Sequence, residues 1–251
     1  VVPSGPEEKW SYPPFSATIE GDVLYGRGAA DMKSSVAAFI EAAKDFINTN
    51  EKLNFKLAIL LTSNEEGTSK DGFIDKIIEK MIEDNEIIEL GGREWLSVHT
   101  PGHTNDHLCL WDPANGIMFS GDHVLPTITP HIGGITPESD PLAKFFGSLE
   151  RMTNFENVLI ALPAHGHPFT NLKERSMEII DHHQERLQTI RDASHQLIEG
   201  TVTDYMRVLF SERAWGDMAE SETYAHLEHL KESGELTRGS NEGIFTYTST
   251  D

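Results

Sequence analysis

Short apolar runs alternate along this chain with longer segments in which apolar residues recur every three or four positions. The run 55–62 has the length of a buried strand, whereas the spacing of apolar residues over 31–48 predicts an amphipathic helix. Chains that alternate strands with helices bury a sheet against helices. We therefore predict an α/β fold with a mixed sheet flanked by helices.

The same patterns predict most other elements. A hairpin is expected over 87–90 and 95–98, with short strands at 107–111, 116–119, 158–162 and 243–248. Helices are expected over 73–82, 141–152, 172–199, 203–210 and 222–233, and Gly200 is expected to end the longest of them. We predict three parts: an α/β fragment over 1–72, a sheet-containing part over 73–172, and a long helix with a winged-helix-like tail over 173–251.

Charge and composition exclude several classes of partner. The net charge of −21, from 41 acidic and 20 basic residues, repels nucleic acid and anionic membrane surfaces. No apolar run reaches the roughly 18 residues that a membrane-spanning helix needs. Cys109 is the one cysteine, so it forms no internal disulfide, and its place in a predicted strand favours a small core residue. We expect a cytoplasmic protein with a small-molecule substrate.

Acidic residues stand at the ends of two predicted elements near the beginning of the chain. Asp31 begins the first helix, and Glu65 and Glu66 follow the strand at 55–62. A carboxylate can bridge two cations, and another can take a proton from metal-bound water. Residues 1–67 resemble the zinc aminoacylase and desuccinylase family, on the motifs Tyr25-Gly26-Arg27-Gly28, Asp31-Met32-Lys33 and Ser63-Asn64-Glu65-Glu66-Gly67. The resemblance implies that Asp31 bridges two zinc ions, Glu65 is the general base and Glu66 is a metal ligand.

Histidines and an aspartate follow three later strands. The segments are His99-Thr100-Pro101-Gly102-His103-Thr104, Phe119-Ser120-Gly121-Asp122 and Leu162-Pro163-Ala164-His165-Gly166. On these segments, residues from about 83 to 251 resemble the later half of the metallo-β-lactamase superfamily, including its hydrolases with a winged-helix tail. The resemblance implies that His103, Asp122 and His165 are metal ligands. Imidazole and carboxylate donors suit zinc, of which one or two ions are expected.

The remaining histidines divide into two groups. Those near the three motifs are expected to orient the metal ligands, namely His99, His107, His123, His131 and His167. Those on predicted helices are expected to be exposed, namely His182, His183, His195, His226 and His229.

Three functions are left open by these motifs. The first is a zinc-dependent hydrolase of metallo-β-lactamase type that acts on an ester, thioester or amide carbonyl, with Asp122 holding the metal and orienting the water. The second is a zinc amidohydrolase that acts on N-acyl amino acids through Asp31, Glu65 and Glu66. The third is a non-catalytic fused remnant or a self-associating homo-oligomer, because each ligand set is incomplete within these 251 residues.

A shared metal site would join the two incomplete sets. The segment 61–67 leaves a predicted strand and enters a helix, as the histidine-rich ligand run of the second family does. Asp31 or Glu66 could then complete a site with His103, Asp122 and His165, leaving Glu65 as the base.

Overall fold

The computed structural model describes residues 4–49, 82–134, 136 and 139–250, and for Asp31 and Met32 it describes the backbone alone. The predicted strand at 55–62, most of the predicted helix at 73–82, and both Glu65 and Glu66 lie outside the described residues. The chain divides into two compact units, Val1–Asp71 and Gly72–Asp251.

Among its described residues, the first unit contains a 3-10 turn over Glu7–Lys9, a hairpin and one α-helix. Strands β1 (Thr18–Glu20) and β2 (Val23–Tyr25) pair in antiparallel fashion. A π-helical turn over Ala29–Lys33 leads into helix α1 (Ser34–Thr49). Gly28, directly before that turn, has a φ of +78°, a backbone conformation that glycine adopts without strain. The helix predicted over 31–48 is therefore confirmed.

The second unit is built on a five-stranded mixed sheet. Its strands, in spatial order, are β3 (Ile87–Leu90), β4 (Arg93–His99), β5 (Leu108–Asp112), β6 (Ile117–Gly121) and β7 (Ile160–Pro163). The first four strands pair antiparallel, and β7 runs parallel to β6. The predicted mixed sheet is confirmed.

The strand register places three loops at one edge of this sheet. His99 pairs with Leu108 at the point where β4 ends and β5 begins. Gly121, the last residue of β6, pairs with Pro163, the last residue of β7. The chain segments that follow β4, β6 and β7 therefore leave the sheet at the same edge.

Helices cover the sheet on one face and bury the core. They are α2 (Pro141–Thr153), α3 (Leu172–Leu197), α4 (Val202–Leu209) and α5 (Asp217–Glu232). Their buried residues form one cluster with side chains from the sheet, including Val98, Cys109, Met118 and Ala161. Cys109 is fully buried, as predicted, and burial raises the pKa of its thiol to about 12. The thiol is therefore protonated at neutral pH and serves as a packing group.

The end of the chain contains two strands that the sequence pattern did not predict. β8 (Gly200–Thr201), β9 (Leu236–Asn241) and β10 (Ile244–Ser249) form a sheet in the order β8-β10-β9. Gly200 begins β8 instead of ending α3, which stops at Leu197. β9 was missed because Leu236 is its one buried residue. The winged-helix description of this tail stays a prediction. Among the described residues, no helix has the length and apolarity to cross a bilayer.

Asp140 links the beginning of α2 to α5. Its Oδ1 accepts a hydrogen bond from the backbone N–H of Ala143 at 2.9 Å, which caps the helix. Its Oδ2 lies 2.9 Å from Nδ1 of His229 on α5. Burial works against ionisation of this carboxyl, but the His229 and Ala143 hydrogen bonds outweigh it and lower the pKa.

We expect Asp140→Ala to reduce the free energy of unfolding by about 1 to 2 kcal/mol at pH 7, through loss of the cap and of the His229 contact. Because the folded pKa is lowered, this contribution is present above the unfolded value near 3.8 and is lost as the pH falls below it. Urea unfolding at pH 7 and at pH 3 measures both effects. Asp181→Ala, an exposed site on α3, serves as the control; equal losses in the two variants at pH 7 would contradict the prediction.

Candidate metal centre

Asp122 and His165 meet at the sheet edge where β6 and β7 end. Asp122 directly follows β6, His165 follows β7 by two residues, and Oδ1 of Asp122 lies 3.4 Å from Nε2 of His165. Two ligands of a tetrahedral zinc ion, each about 2.1 Å from the metal, lie roughly 3.4 Å from one another. The spacing of this pair therefore fits two donors to one cation.

His103 lies in the loop that leaves β4 at the same edge. Its Nδ1 is 2.7 Å from the backbone carbonyl oxygen of His131. A carbonyl can only accept, so Nδ1–H donates and the lone pair of the neutral ring resides on Nε2. Histidines that bind metals commonly donate their other ring N–H to a carbonyl in this way. The arrangement fits the ligand role that the sequence predicts for His103.

His107 supports the backbone of Asp122 through a short relay. The N–H of Asp122 donates to Nε2 of His107 at 3.1 Å, so the ring proton is on Nδ1, which lies 2.6 Å from Oγ1 of Thr100. Gly121 permits this approach, because a Cβ at Gly121 would lie 2.6 Å from Nε2 of His107. The sequence suggested that His107 orients a ligand, but it gave no sign of the part played by Thr100.

Two other histidines near these motifs have different surroundings. His123 is fully buried with its ring edge-on to Phe145, 5.2 Å between centroids. Burial, followed by the neighbouring His107 and His103 rings, holds the pKa of His123 well below its ordinary value. His167 is exposed. His123 is therefore a neutral core residue behind the loops.

The predicted ligands of the first unit are Asp31, Glu65 and Glu66. The backbone of Asp31 belongs to the π-helical turn that precedes α1, as the sequence predicted for the start of that helix. Glu65 and Glu66 lie outside the described residues. The shared site of Asp31 or Glu66 with His103, Asp122 and His165 therefore stays a hypothesis.

The prediction that the helical histidines are exposed holds for His195 but was wrong for the other four, of which His182 and His229 are half-buried. His183 on α3 and His226 on α5 are both fully buried. The reason is visible in the helical spacing, because His183 lies in register with the buried Ile179, Leu187 and Ile190. His226 has the same relation to buried residues of α5. A histidine on the apolar face of an amphipathic helix was the overlooked signal.

These two histidines form a buried polar cluster with Glu222 of α5. Nδ1 of His183 lies 3.0 Å from Nε2 of His226, and Nδ1 of His226 lies 2.7 Å from the carbonyl oxygen of Glu222. Burial lowers the pKa of His183 to about 3 and that of His226 to about 4. Burial opposes ionisation of Glu222, but His131 and Arg186 outweigh it and lower its pKa to about 2. The cluster therefore holds one carboxylate and two neutral imidazoles.

Comparison with known proteins gives two kinds of likeness. The model of peptidase family M20/M25/M40 matches residues 1–220. The succinyl-diaminopimelate desuccinylase of Hydrogenovibrio crunogenus is 51% identical over 90 residues, which are 36% of this chain and 24% of that protein. The enzyme of the same name from Hahella chejuensis is 42% identical over 105 residues, 42% of this chain and 26% of that protein. The chain thus spans about a quarter of the length of the curated relatives it matches.

Solved structures give the second likeness. A beta-lactamase domain protein from Burkholderia ambifaria is 30% identical with a TM-score of 0.62, over 67% of this chain and 51% of that one. A metallo-beta-lactamase family protein from Thermus thermophilus is 29% identical with a TM-score of 0.57, over 67% of this chain and 53% of that one. Together with the desuccinylases, these structures confirm the prediction of a hybrid chain. The chain belongs to peptidase family M20/M25/M40 and also carries a metallo-beta-lactamase-like part.

Proposed function

We propose that this protein is a metal-dependent hydrolase whose centre lies at the sheet edge around Asp122 and His165. The observation that carries the proposal is the 3.4 Å spacing between Oδ1 of Asp122 and Nε2 of His165. The loop that bears His103 leaves the sheet at the same edge. Both families that the chain resembles depend on metals, commonly zinc. We therefore propose zinc as the metal, and an ester, thioester or amide of a small molecule as the substrate.

Residues at this centre would have two roles: some would bind the cation, and others hold those ligands in place. A divalent cation bound there would act as a Lewis acid on the carbonyl and would lower the pKa of a bound water. Asp122 and His165 would hold the cation, with His103 as a third donor. His107 fixes the backbone of Asp122, and the carbonyl of His131 fixes the ring of His103. These supports reduce the freedom of the donors before a substrate arrives.

The first unit favours a second candidate function. Its likeness to desuccinylases reaches 51% identity over 90 residues. This supports an amidohydrolase that acts on an N-acyl amino acid, with Asp31 and Glu66 as metal ligands and Glu65 as the base. The two candidates differ in substrate and in the residues on which turnover depends.

Turnover of two substrates by the full chain separates the candidates. We expect hydrolysis of a thioester, S-lactoylglutathione, to exceed that of N-succinyl-diaminopimelate, and to fall about 100-fold in Asp122→Asn and in His165→Gln as the metal is lost. Metal content is measured by plasma mass spectrometry on each variant. His195→Gln, an exposed site on α3, is the matched control and keeps full activity.

Other results would redirect the assignment. Turnover of N-succinyl-diaminopimelate that survives Asp122→Asn but disappears in Glu65→Gln would favour the amidohydrolase. A folded protein that binds no metal and hydrolyses neither substrate would contradict both candidates and would leave a non-catalytic remnant.

A further inference from the structure

A second set of metal-binding donors lies between α3 and α5. One donor atom from each of His183, Glu222 and His226 can be chosen so that all three lie within 4.8 Å of one another. Glu222 and His226 are four residues apart on α5, which places them on one face of that helix. His183 reaches the same point from α3. Both histidines are fully buried, so these donors are not a solvated surface cluster.

The hydrogen bonds around His226 prepare its ring to bind a cation. The carbonyl oxygen of Glu222 can only accept, so Nδ1–H of His226 donates to it and Nε2 carries the lone pair. This is the outer contact that metal-binding histidines commonly make. Nε2 then faces Nδ1 of His183 at 3.0 Å, close to the roughly 3.4 Å that separates two ligands of a tetrahedral zinc ion.

The second ring nitrogen of His183 decides where the ring proton can go when a cation binds. Its Nε2 is buried and has no hydrogen-bond partner among the described residues. Buried ring nitrogens are satisfied in most proteins, because an unpaired polar group costs free energy. When a cation replaces the proton on Nδ1, the ring of His183 stays neutral by carrying that proton on Nε2 instead.

The neighbours of Glu222 influence how tightly the cluster would bind a cation. Arg186 pairs with Oε1 of its carboxylate, and Nδ1 of His131 lies 3.4 Å from Oε2. These groups keep the carboxylate charged and fixed, but the guanidinium also repels a second cation. The donor set of two imidazoles and one carboxylate is one that zinc accepts.

We propose that His183, Glu222 and His226 form a structural zinc site that joins α5 to α3, separate from the centre at Asp122 and His165. The cation would take the position of the proton that His183 and His226 share. The site is buried, so its role is to fasten the end of the chain to the core and not to bind substrate. This inference does not depend on the proposed hydrolase activity.

Crystals of the full chain grown with zinc chloride test the site directly. We expect an anomalous difference peak at the zinc edge roughly 2.0 to 2.2 Å from a nitrogen of His183, Nε2 of His226 and a carboxylate oxygen of Glu222. Zinc that occupies the Asp122 and His165 centre alone, with no peak at the cluster, would overturn the proposal.

Thermal unfolding with zinc chloride tests the same site in solution. The background is the full chain with Asp122→Asn and His165→Gln, so the other centre does not contribute. At a zinc concentration about 100-fold above Kd, we expect Tm to rise by roughly 5 to 10 °C. The rise should vanish when His226→Gln is added and persist with the exposed control His195→Gln. Equal rises in these two variants would contradict the proposal.

The zinc affinity of Arg186→Gln tests whether Glu222 is a ligand. A Glu222 that only packs against its neighbours would leave this affinity unchanged. Removal of the guanidinium leaves the charge of Glu222 available to a cation, so zinc should bind at least roughly 10-fold more tightly in the same background. The metal-free variant is expected to unfold at a lower temperature, since Glu222 loses one of its two charged or polar partners, and zinc should reverse that loss. A Kd unchanged by Arg186→Gln would contradict Glu222 as a ligand.

Discussion

Gly102→Ala is expected to lower the free energy of unfolding by about 2 to 6 kcal/mol. Gly102 is buried in the loop after β4 and has a φ of +146°, where residues with a Cβ are strained. A Cβ at this position would lie 2.6 Å from Cα of Phe145, which is backbone of α2. Since Phe145 is fully buried in the core, α2 cannot move away without opening the packing.

Gly147→Ala is the matched control for this prediction. Gly147 lies on the same helix as Phe145, is exposed, and has no atom within 4 Å of an added Cβ. Alanine is favoured over glycine inside a helix, so this variant should be more stable by about 0.5 to 1 kcal/mol. Urea unfolding of the parent and both variants measures the difference. A Gly102→Ala protein as stable as the parent would show that the loop can leave α2 at no cost.

Gly102→Ala is also expected to weaken metal binding at the candidate metal centre. His103 follows Gly102 directly, and its ring is held by the carbonyl of His131 at 2.7 Å. A displaced loop moves Nε2 of His103 away from the sheet edge. We therefore expect metal affinity to fall together with stability in Gly102→Ala, whereas Gly147→Ala should retain the affinity of the parent.

The sequence predicts the elements whose side chains have a strong local pattern. The helix over 172–199 and the hairpin over 87–98 were predicted within a few residues, because their apolar spacing records which face is buried. β9 carries one buried residue in six, so its pairing with β10 depends on contacts that no local pattern records. The strand order in the sheet likewise could not be predicted, because it depends on contacts between segments that are far apart in the sequence.

Some residues of the candidate site were predicted from the sequence and others were not. Pro-Gly-His and Gly-Asp motifs at strand ends predicted His103 and Asp122, and the structure brings Asp122 and His165 together. The relay from Asp122 through His107 to Thr100 could not be predicted, because it depends on the register between β4, β5 and β6. The buried histidines were missed for another reason. His183 and His226 were predicted to be exposed because histidine is a polar residue, although their positions in the helical repeat align with buried residues.

Burial of His183 and His226 predicts that the metal-free protein is sensitive to mild acid. Their folded pKa values, about 3 and about 4, lie below the ordinary value of 6.5. Between pH 6.5 and 4 the unfolded chain therefore binds protons that the folded chain excludes, and stability falls as the pH falls. Above the ordinary value both states are neutral at these rings and the penalty is absent. Below the folded values both states are protonated and the loss levels off.

From these two rings the expected loss between pH 7 and pH 5 is on the order of 2 to 4 kcal/mol, since each excluded proton contributes about 1.4 kcal/mol per pH unit. Buried His123, whose pKa is also lowered, adds to the loss in the same direction. Glu222 adds nothing in this window, because its lowered pKa of about 2 affects stability only below its unfolded value near 4.5. Urea unfolding in EDTA at half-unit steps measures the slope. His226→Gln should flatten it by about 1.4 kcal/mol per pH unit, whereas the exposed His195→Gln should leave it unchanged. An equally steep slope in His226→Gln would mean that the buried pair is protonated in the folded protein, and that α3 and α5 separate enough to admit water.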